Sequence, residues 1–164
     1  MRPPARKASQ FPTIGASASP PPAAFSLSLR VYYQDTDAGG VVFHANYLHF
    51  FERARTEWLR ELGFDVRELA ATDGLMFIVR EVRVNYMRPA QVDDLLTVTA
   101  VLHHLGRAQF TLGQSVLRGE EVLVQGTVNL ACVSAEGLKP IRVPPRVYAA
   151  LEESMTAKLI REKA

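Results

Sequence analysis

A short segment from position 35 to 47 holds the residue types that could carry out chemistry. It reads DTDAGGVVFHANY and places two carboxylates, two adjacent glycines and a histidine at the entrance of a predicted helix. A carboxylate can act as a nucleophile or as a base toward water, while backbone N–H groups at a helix start can stabilise the oxyanion formed from a carbonyl substrate. Gly39 and Gly40 allow a positive φ or a close approach to a ligand. Carbonyl chemistry is therefore one interpretation of this segment.

The same residues also suit an ordinary turn. Asp35 or Asp37 could accept a hydrogen bond from the backbone two residues further on, with the glycines serving that turn and His44 packing at the helix start. Turn residues and catalytic residues share the same short polar types, so the local sequence leaves both interpretations open.

An amphipathic helix is predicted from about Ala45 to Leu62. Its apolar stripe at helical spacing comprises Tyr47, Phe51, Ala54, Trp58 and Leu62, widened by Leu48, Phe50 and Leu59. Gly63 is the expected left-handed stop. The free N–H groups of the first turn are expected to face the loop that carries the two aspartates.

Alternating apolar residues predict strands on both sides of this helix. In the first strand, the buried face is expected to hold Leu27, Leu29, Val31 and Tyr33. After helical turns over 65–71, strands are predicted at about 76–86, 95–105, 107–117 and 122–133, the last three as an antiparallel meander. A C-terminal helix follows over 147–159. This order predicts an α+β domain in which one five-strand sheet curls around one central helix.

Composition favours one globular domain. The chain has 164 residues, of which 48% are hydrophobic. Residues 1–25 are rich in Pro, Ala and Ser and are predicted to form a disordered tail, which leaves a single domain over 26–164. Three of the 19 basic residues lie in this tail, so the domain is nearly neutral against its 17 acidic residues, and nucleic-acid binding is disfavoured. With no secretory h-region and no run of eighteen apolar residues, we expect a cytoplasmic protein without a membrane span.

Neither a metal site nor a reactive thiol is predicted. Asp35, Asp37, His44 and His49 form no dedicated ligand set, and the consecutive residues His103 and His104 are expected on opposite faces of a strand. Cys132 is the sole cysteine, which excludes an intrachain disulfide. Its alternation with apolar residues predicts a buried small hydrophobe.

The run from Val31 to Tyr47 resembles the hotdog-fold acyl-CoA thioesterases, as do FERARTE (51–57), RVNY (83–86), RPA (88–90) and DD (93–94). The nearest branch is the YbgC-type, Tol-Pal-associated group of the 4-hydroxybenzoyl-CoA thioesterase-like family, and the similarity covers about Leu27 to Val147. The resemblance implies a hotdog fold and hydrolysis of an acyl-CoA or acyl-carrier thioester without a metal or organic cofactor. It also implies a homo-oligomer, a dimer or a tetramer, with each site between subunits.

The resemblance further implies which residues form the site. Asp37, the second aspartate of the Asp-Thr-Asp-x-x-Gly pattern, becomes the catalytic carboxylate, as nucleophile or base, and Asp35 becomes secondary. His44 is expected to position the substrate, with a local backbone N–H suited to polarise the thioester carbonyl. The expected substrate-binding residues are Gly39, Gly40, Val41 and Tyr47. Arg88 and Arg107 are added to them because both lie at segments that connect predicted strands. The two arginines could reach a coenzyme A phosphate, although ordinary solvated arginine is the alternative for both.

Two other functions reuse the same scaffold: a hydratase or dehydratase, and a non-catalytic acyl-CoA-binding module. A hydratase needs its acid and base at C2 and C3 of the acyl chain, whereas Asp37 and the helix N–H groups are expected at the thioester carbonyl. An intact Asp37 likewise disfavours a module that only binds.

Overall fold

The computed structural model describes residues 25–163, with side chains described for 25–156. Five antiparallel strands of these residues form one sheet: β1 (Phe25–Arg30), β2 (Leu75–Tyr86), β3 (Leu95–Leu105), β4 (Gln109–Arg118) and β5 (Glu121–Ser134). Their order across the sheet is β1-β3-β4-β5-β2, so β1 and β2 form the two edges. The long helix α1 (Asn46–Glu61) joins β1 to a short turn, α2 (Val66–Glu68), which continues as a π-helical turn over Leu69–Asp73. Helix α3 (Pro145–Lys163) ends the described chain. The predicted α+β layout is therefore confirmed.

Helix α1 buries its predicted apolar stripe against the sheet. Its buried side chains are Tyr47, Phe50, Phe51, Ala54, Trp58 and Leu59. Gly63 ends the helix with a φ of 90°, as expected. Leu48 was expected to widen the stripe, but this prediction is wrong, because its side chain lies at the rim of the helix face and is 39% exposed.

Helix α1 packs tightly against the sheet at Gly126 of β5. A Cβ atom at this position would lie 2.8 Å from Cε2 of Phe51 and 2.8 Å from the carbonyl oxygen of Arg83. The Phe51 atom belongs to the packed interior and the Arg83 oxygen to the backbone of the neighbouring strand, so the displacement of either atom would cost free energy. A glycine at 126 therefore lets the helix lie directly on the sheet.

We expect Gly126→Ala to lower the free energy of unfolding by about 1–3 kcal/mol through overpacking. Urea unfolding followed by circular dichroism measures this change. The matched control is Gly113→Ala, whose added methyl group would meet the ring of His103, an exposed side chain, and not the packed interior or the backbone. A Gly126→Ala protein that is no less stable than the Gly113→Ala protein would contradict this account of the packing.

The first strand is shorter than its alternation indicated. β1 ends at Arg30, and the chain then forms a 3-10 turn over Tyr33–Asp35. The prediction that Tyr33 lies on the buried face is wrong, since it is 83% exposed. The Val31 N–H donates to the Asp94 carbonyl oxygen, and beyond this residue the chain leaves the sheet. The alternation of apolar residues therefore no longer indicates which side chains are buried.

The C-terminal segment docks on the same core. Val143, Val147 and Leu151 join the buried cluster that includes the apolar side chains of α1. Arg146 binds Asp73 at 2.9 Å and lies 5.0 Å from the centre of the Phe64 ring. The predicted C-terminal helix is confirmed. Residues 1–24, which make up all of the predicted tail except Phe25, lie outside the described residues, and the division into tail and domain stays a prediction.

Candidate active site

The loop that carries both aspartates is a tight, internally bonded turn. The Asp37 N–H donates to the Val41 carbonyl at 2.9 Å, and the Gly40 N–H donates to the Asp37 carbonyl at 3.0 Å. Gly40 has a φ of 76°, which strongly favours glycine, whereas Gly39 is not among the residues with positive φ. The turn therefore requires its second glycine for backbone conformation and its first for another reason.

That reason is the Asp37 carboxylate. Its Oδ1 accepts the Gly39 N–H at 2.7 Å, and a Cβ atom at Gly39 would lie only 3.0 Å from Oδ1. The side chain is exposed, and this is the one hydrogen bond it makes to a described residue. The Asx turn considered in the sequence is thus present, and it leaves Oδ2 oriented but open to water or substrate. A turn role and a chemical role are compatible here.

Asp35 differs from Asp37 in burial and in partners. It is 6% exposed, and its Oδ2 accepts the Tyr32 N–H at 2.8 Å. Its carbonyl oxygen accepts both the Phe43 N–H and the Asn46 side-chain amide. Asp35 therefore fastens the loop to the start of α1 and has less freedom to meet a substrate.

The prediction that the N–H groups of the first helical turn are free is partly wrong. The Asn46 N–H donates to the Phe43 carbonyl at 2.8 Å, and the Leu48 N–H donates to the Ala45 carbonyl at 3.1 Å. These bonds form because the chain is already helical at Ala45, so the preceding turn supplies acceptors. Within residues 39–48, four backbone N–H groups have no acceptor among the described residues, those of Val41, His44, Ala45 and Tyr47. The N–H groups of Val41 and His44 are the candidates to bind an oxyanion.

A cavity of about 280 Å³ opens beside this loop. Its walls are Val42, His44, Tyr47, Tyr86, Met87, Arg88 and Pro89. Val42 connects the cavity to the aspartate loop, because it pairs with Thr36, the residue before Asp37. The fold therefore brings His44, Tyr47 and Arg88 to one cavity and places Asp37, Gly39, Gly40 and Val41 in the adjoining turn.

Two tyrosines build the base of this cavity. The Tyr47 hydroxyl is buried and accepts the Ala90 N–H at 3.0 Å; burial raises the pKa of Tyr47. The Tyr86 hydroxyl donates to the His44 carbonyl at 2.9 Å, and the two tyrosine rings pack edge to face at 5.7 Å. Tyr86 was not among the predicted site residues. The RVNY segment contained it, but only the position of β2 in the sheet brings it to His44.

Arg88 lies at the mouth of the cavity within a charged cluster. Its Nε contacts Glu121 at 3.1 Å, and Arg118 bridges Glu121 and Asp94. Burial acts to raise the pKa of Asp94, but the Gln91 N–H and Arg118 outweigh this effect and leave the pKa lowered. These charge pairs hold the link between β2 and β3, which accepts the Val42 N–H through the Ala90 carbonyl oxygen. The Arg88 side chain itself stays 65% exposed.

Arg107 is not brought to the site of the same chain. It lies in the turn between β3 and β4, and its carbonyl oxygen accepts the Val143 N–H. The aspartate loop meets the opposite end of β3, where Val31 bonds with Asp94. An eleven-residue strand spans roughly 30 Å, so a single chain separates Arg107 from Asp37 by about that length.

The expected opposite orientation of His103 and His104 is also wrong. A β-bulge interrupts the register between Leu102 and His104. His104 pairs with Thr111, while the ring of His103 lies over Gly113, two residues along the same neighbouring strand and hence on the same face. No group of three or more His, Cys, Asp or Glu residues suited to a metal occurs among the described residues. The absence of a metal in the reaction stays a prediction.

Cys132 is fully buried, as predicted, and burial raises the pKa of its thiol to about 11. At neutral pH such a thiol is protonated and a poor nucleophile.

Comparison with known proteins identifies the family. The family model of the Thioesterase superfamily matches residues 39–125, which include Gly39, His44 and the cavity walls. The chain belongs to the thioesterase superfamily. It is 45% identical over 126 residues to the acyl-CoA thioesterase YbgC of Haemophilus influenzae, covering 77% of this chain and 93% of that one. It is 37% identical over 130 residues to the acyl-CoA thioester hydrolase YbgC of Escherichia coli, covering 79% and 96%.

The three-dimensional comparison agrees. The crystal structure of a Probable Thioesterase from Bartonella henselae matches with a TM-score of 0.71 and 44% identity, covering 74% of this chain and 99% of that one. The predicted resemblance, the hotdog fold and the assignment to thioester hydrolases are thereby confirmed. No helix of the described residues is long and apolar enough to cross a membrane.

Proposed function

We propose that the protein hydrolyses acyl-CoA thioesters and that Asp37 supplies the reacting carboxylate. The observation that carries this proposal is the exposed Asp37 side chain, held by the Gly39 N–H through one oxygen and open at the other. The Asp37 side chain adjoins a cavity in a chain of the thioesterase superfamily. A relative that is 45% identical to this chain bears the name acyl-CoA thioesterase YbgC.

The chemistry needs few groups. With Asp37 as base, the carboxylate takes a proton from water as the water oxygen bonds to the thioester carbon. The C–S bond then breaks and the leaving thiolate receives that proton, which gives the acid and the thiol and restores the carboxylate. With Asp37 as nucleophile, a carboxylate oxygen bonds to the thioester carbon and the C–S bond breaks, which releases the thiolate and leaves an acyl-enzyme anhydride. Water then cleaves the anhydride to the acid and the free carboxylate, and the proton released from water goes to the thiolate. In both routes negative charge develops on the carbonyl oxygen, where the N–H groups of Val41 and His44 would donate. Neither route requires a metal or an organic cofactor.

A thiol-release assay tests the function. We expect the purified protein to release coenzyme A from at least one member of a panel of short, medium, long and aromatic acyl-CoA thioesters, equally with and without a chelator. Buried Cys132 should contribute little to the thiol signal. An enoyl thioester in the same panel separates the alternatives, because a hydratase would give a 3-hydroxyacyl product and a binding module would return the ligand unchanged. Absence of thiol release across the panel would overturn the proposal.

We further propose that the protein is a homo-oligomer that pairs through β2. This edge strand has twelve residues, and its exposed apolar side chains include Met76 and Val79. A long edge strand presents unpaired backbone groups that a second copy can satisfy, and such pairing joins two sheets edge to edge. In such an oligomer, Arg107 of one chain could approach the Asp37 loop of another chain.

We expect light scattering at micromolar concentration to give a mass of two or four times the 18.2 kDa of one chain. A single species of 18.2 kDa across a dilution series would contradict the prediction.

A further inference from the structure

A second cavity of about 190 Å³ lies along α1, away from the aspartate loop. Its walls combine apolar side chains, among them Leu59, Phe77 and Leu130, with three polar residues on consecutive turns of α1: Glu52, Arg55 and Thr56. A 150 Å³ apolar cavity can hold a benzene molecule, so this one can hold the end of a medium-sized acyl group.

Arg55 is held in place by a buried amide. Its Nη1 donates to Oε1 of Gln114 at 3.0 Å, and Gln114 is 2% exposed. The amide nitrogen of Gln114 donates in turn to the carbonyl oxygens of Phe51 at 3.0 Å and Thr99 at 3.4 Å. A buried glutamine is costly unless such bonds satisfy it, and here they fix the guanidinium between α1 and β4.

The remaining donors of Arg55 point to a ligand. A guanidinium has five N–H donors, and one hydrogen bond to a described residue is present. No side-chain nitrogen or oxygen of the described residues is buried without a partner, so the free nitrogens of Arg55 reach solvent, and the cavity is the space they line. The guanidinium is partly removed from water, and this burial lowers the pKa of Arg55.

Glu52 adds an acceptor beside these donors. One carboxylate oxygen accepts the Thr56 hydroxyl at 3.0 Å, and the Glu52 charge acts on Arg55. The pair has no net charge. A neutral hydroxyl can donate to Glu52 and accept from Arg55 at once, whereas a carboxylate would meet the repulsion of Glu52.

The two cavities share the same two elements. Tyr47 of α1 lines the first and Arg55 lines the second, about 12 Å further along the helix axis. Tyr86 of β2 lines the first and Val79 lines the second; between them, the half-buried Val82 and Val84 pack against the core. The two cavities therefore lie along the same stretch of α1 and β2, with apolar side chains between them.

We propose that the second cavity receives the far end of the acyl group, and that Arg55 and Glu52 select acyl chains that carry a terminal hydroxyl over plain alkyl chains. This inference rests on the proposed thioesterase function for the placement of the thioester, but the hydroxyl preference is a property of binding and can be measured without turnover.

The experiment compares matched chains. Butanoyl, hexanoyl, octanoyl, decanoyl and dodecanoyl-CoA are each tested with and without a terminal hydroxyl, as substrates by thiol release and as non-hydrolysable thioether analogues by calorimetry. We expect the hydroxylated chain to be favoured about tenfold at the length that reaches Arg55, and at no shorter length. A preference for the plain chain at every length would overturn the inference.

Three variants locate the effect. Arg55→Met keeps an apolar stem and should reduce the hydroxyl preference to one or below, as should Glu52→Ala, whose exposed site makes misfolding a minor concern. Arg53→Met, at an exposed arginine of the same helix that does not line the cavity, should retain the preference. A preference that survives both cavity variants would refute the assignment.

The two proposals fail in different ways. Hydrolysis of plain thioesters without a hydroxyl preference defeats the role of Arg55 and Glu52 alone. A hydroxyl preference in analogue binding without any hydrolysis defeats the thioesterase proposal alone. Absence of both defeats both.

Discussion

Asp37→Asn should lower kcat/KM for thioester hydrolysis by about 100- to 10,000-fold, the usual contribution of a positioned base. Asparagine keeps an Oδ1 acceptor for the Gly39 N–H, so the turn should persist while the charge needed by both routes is lost. Because the side chain is exposed, we expect the midpoint of thermal unfolding to stay unchanged. Thiol release and differential scanning calorimetry measure the two quantities.

Asp35→Asn is the matched control. Its carboxylate is buried and accepts the Tyr32 N–H, so this variant should lose more stability and less activity than Asp37→Asn. Equal activity of the Asp37→Asn variant and the parent protein would remove Asp37 from the reaction. A larger activity loss at position 35 would show that the other carboxylate reacts.

The second large effect is expected at Gly39. An alanine there would place Cβ 3.0 Å from Oδ1 of Asp37, so the carboxylate must shift by a few tenths of an ångström. Misplacement of a reacting group by about 1 Å can cost 100-fold, and we therefore expect Gly39→Ala to reduce kcat/KM by about 10- to 100-fold with little change in stability.

Gly40→Ala separates orientation from folding. No atom lies within 4 Å of the added Cβ, but the φ of 76° costs an L-residue about 1–2 kcal/mol. This variant should lose stability in urea unfolding, in contrast to Gly39→Ala. Full activity of Gly39→Ala would mean that the orientation of the Asp37 carboxylate by this turn is not needed for the reaction.

Much of the fold could be predicted because the relevant signals are local. The stripe of α1 has the helical period, and Gly63 ends the helix where the pattern stops. The short links between β3, β4 and β5 fixed their antiparallel pairing. The predictions for Tyr33 and Leu48 were wrong because periodicity continues past the point where an element leaves the sheet or reaches the rim of the core.

The assembly of the candidate site could be predicted in part. Asp37, the glycines and His44 are neighbours in sequence, so their assembly depends on one turn and one helix start. The roles of the two aspartates were separated only by resemblance, and the structure supplies a physical difference between them in burial and hydrogen bonding. The contact between Arg55 and Gln114 was not predicted, because a hydrogen bond between residues 59 positions apart leaves no pattern in the local sequence.

The sequence by itself determined the segments that can do chemistry and the elements that carry them, because turns, caps and amphipathic periods depend on residues a few positions apart. Only the tertiary structure decided that β2 lies at the sheet edge beside β5, which brings Tyr86 to His44 and leaves Arg107 at the far end of β3. Strand order is set by which apolar faces pack best across the whole chain. Strand order therefore depends on contacts between distant segments, which a local sequence pattern does not contain.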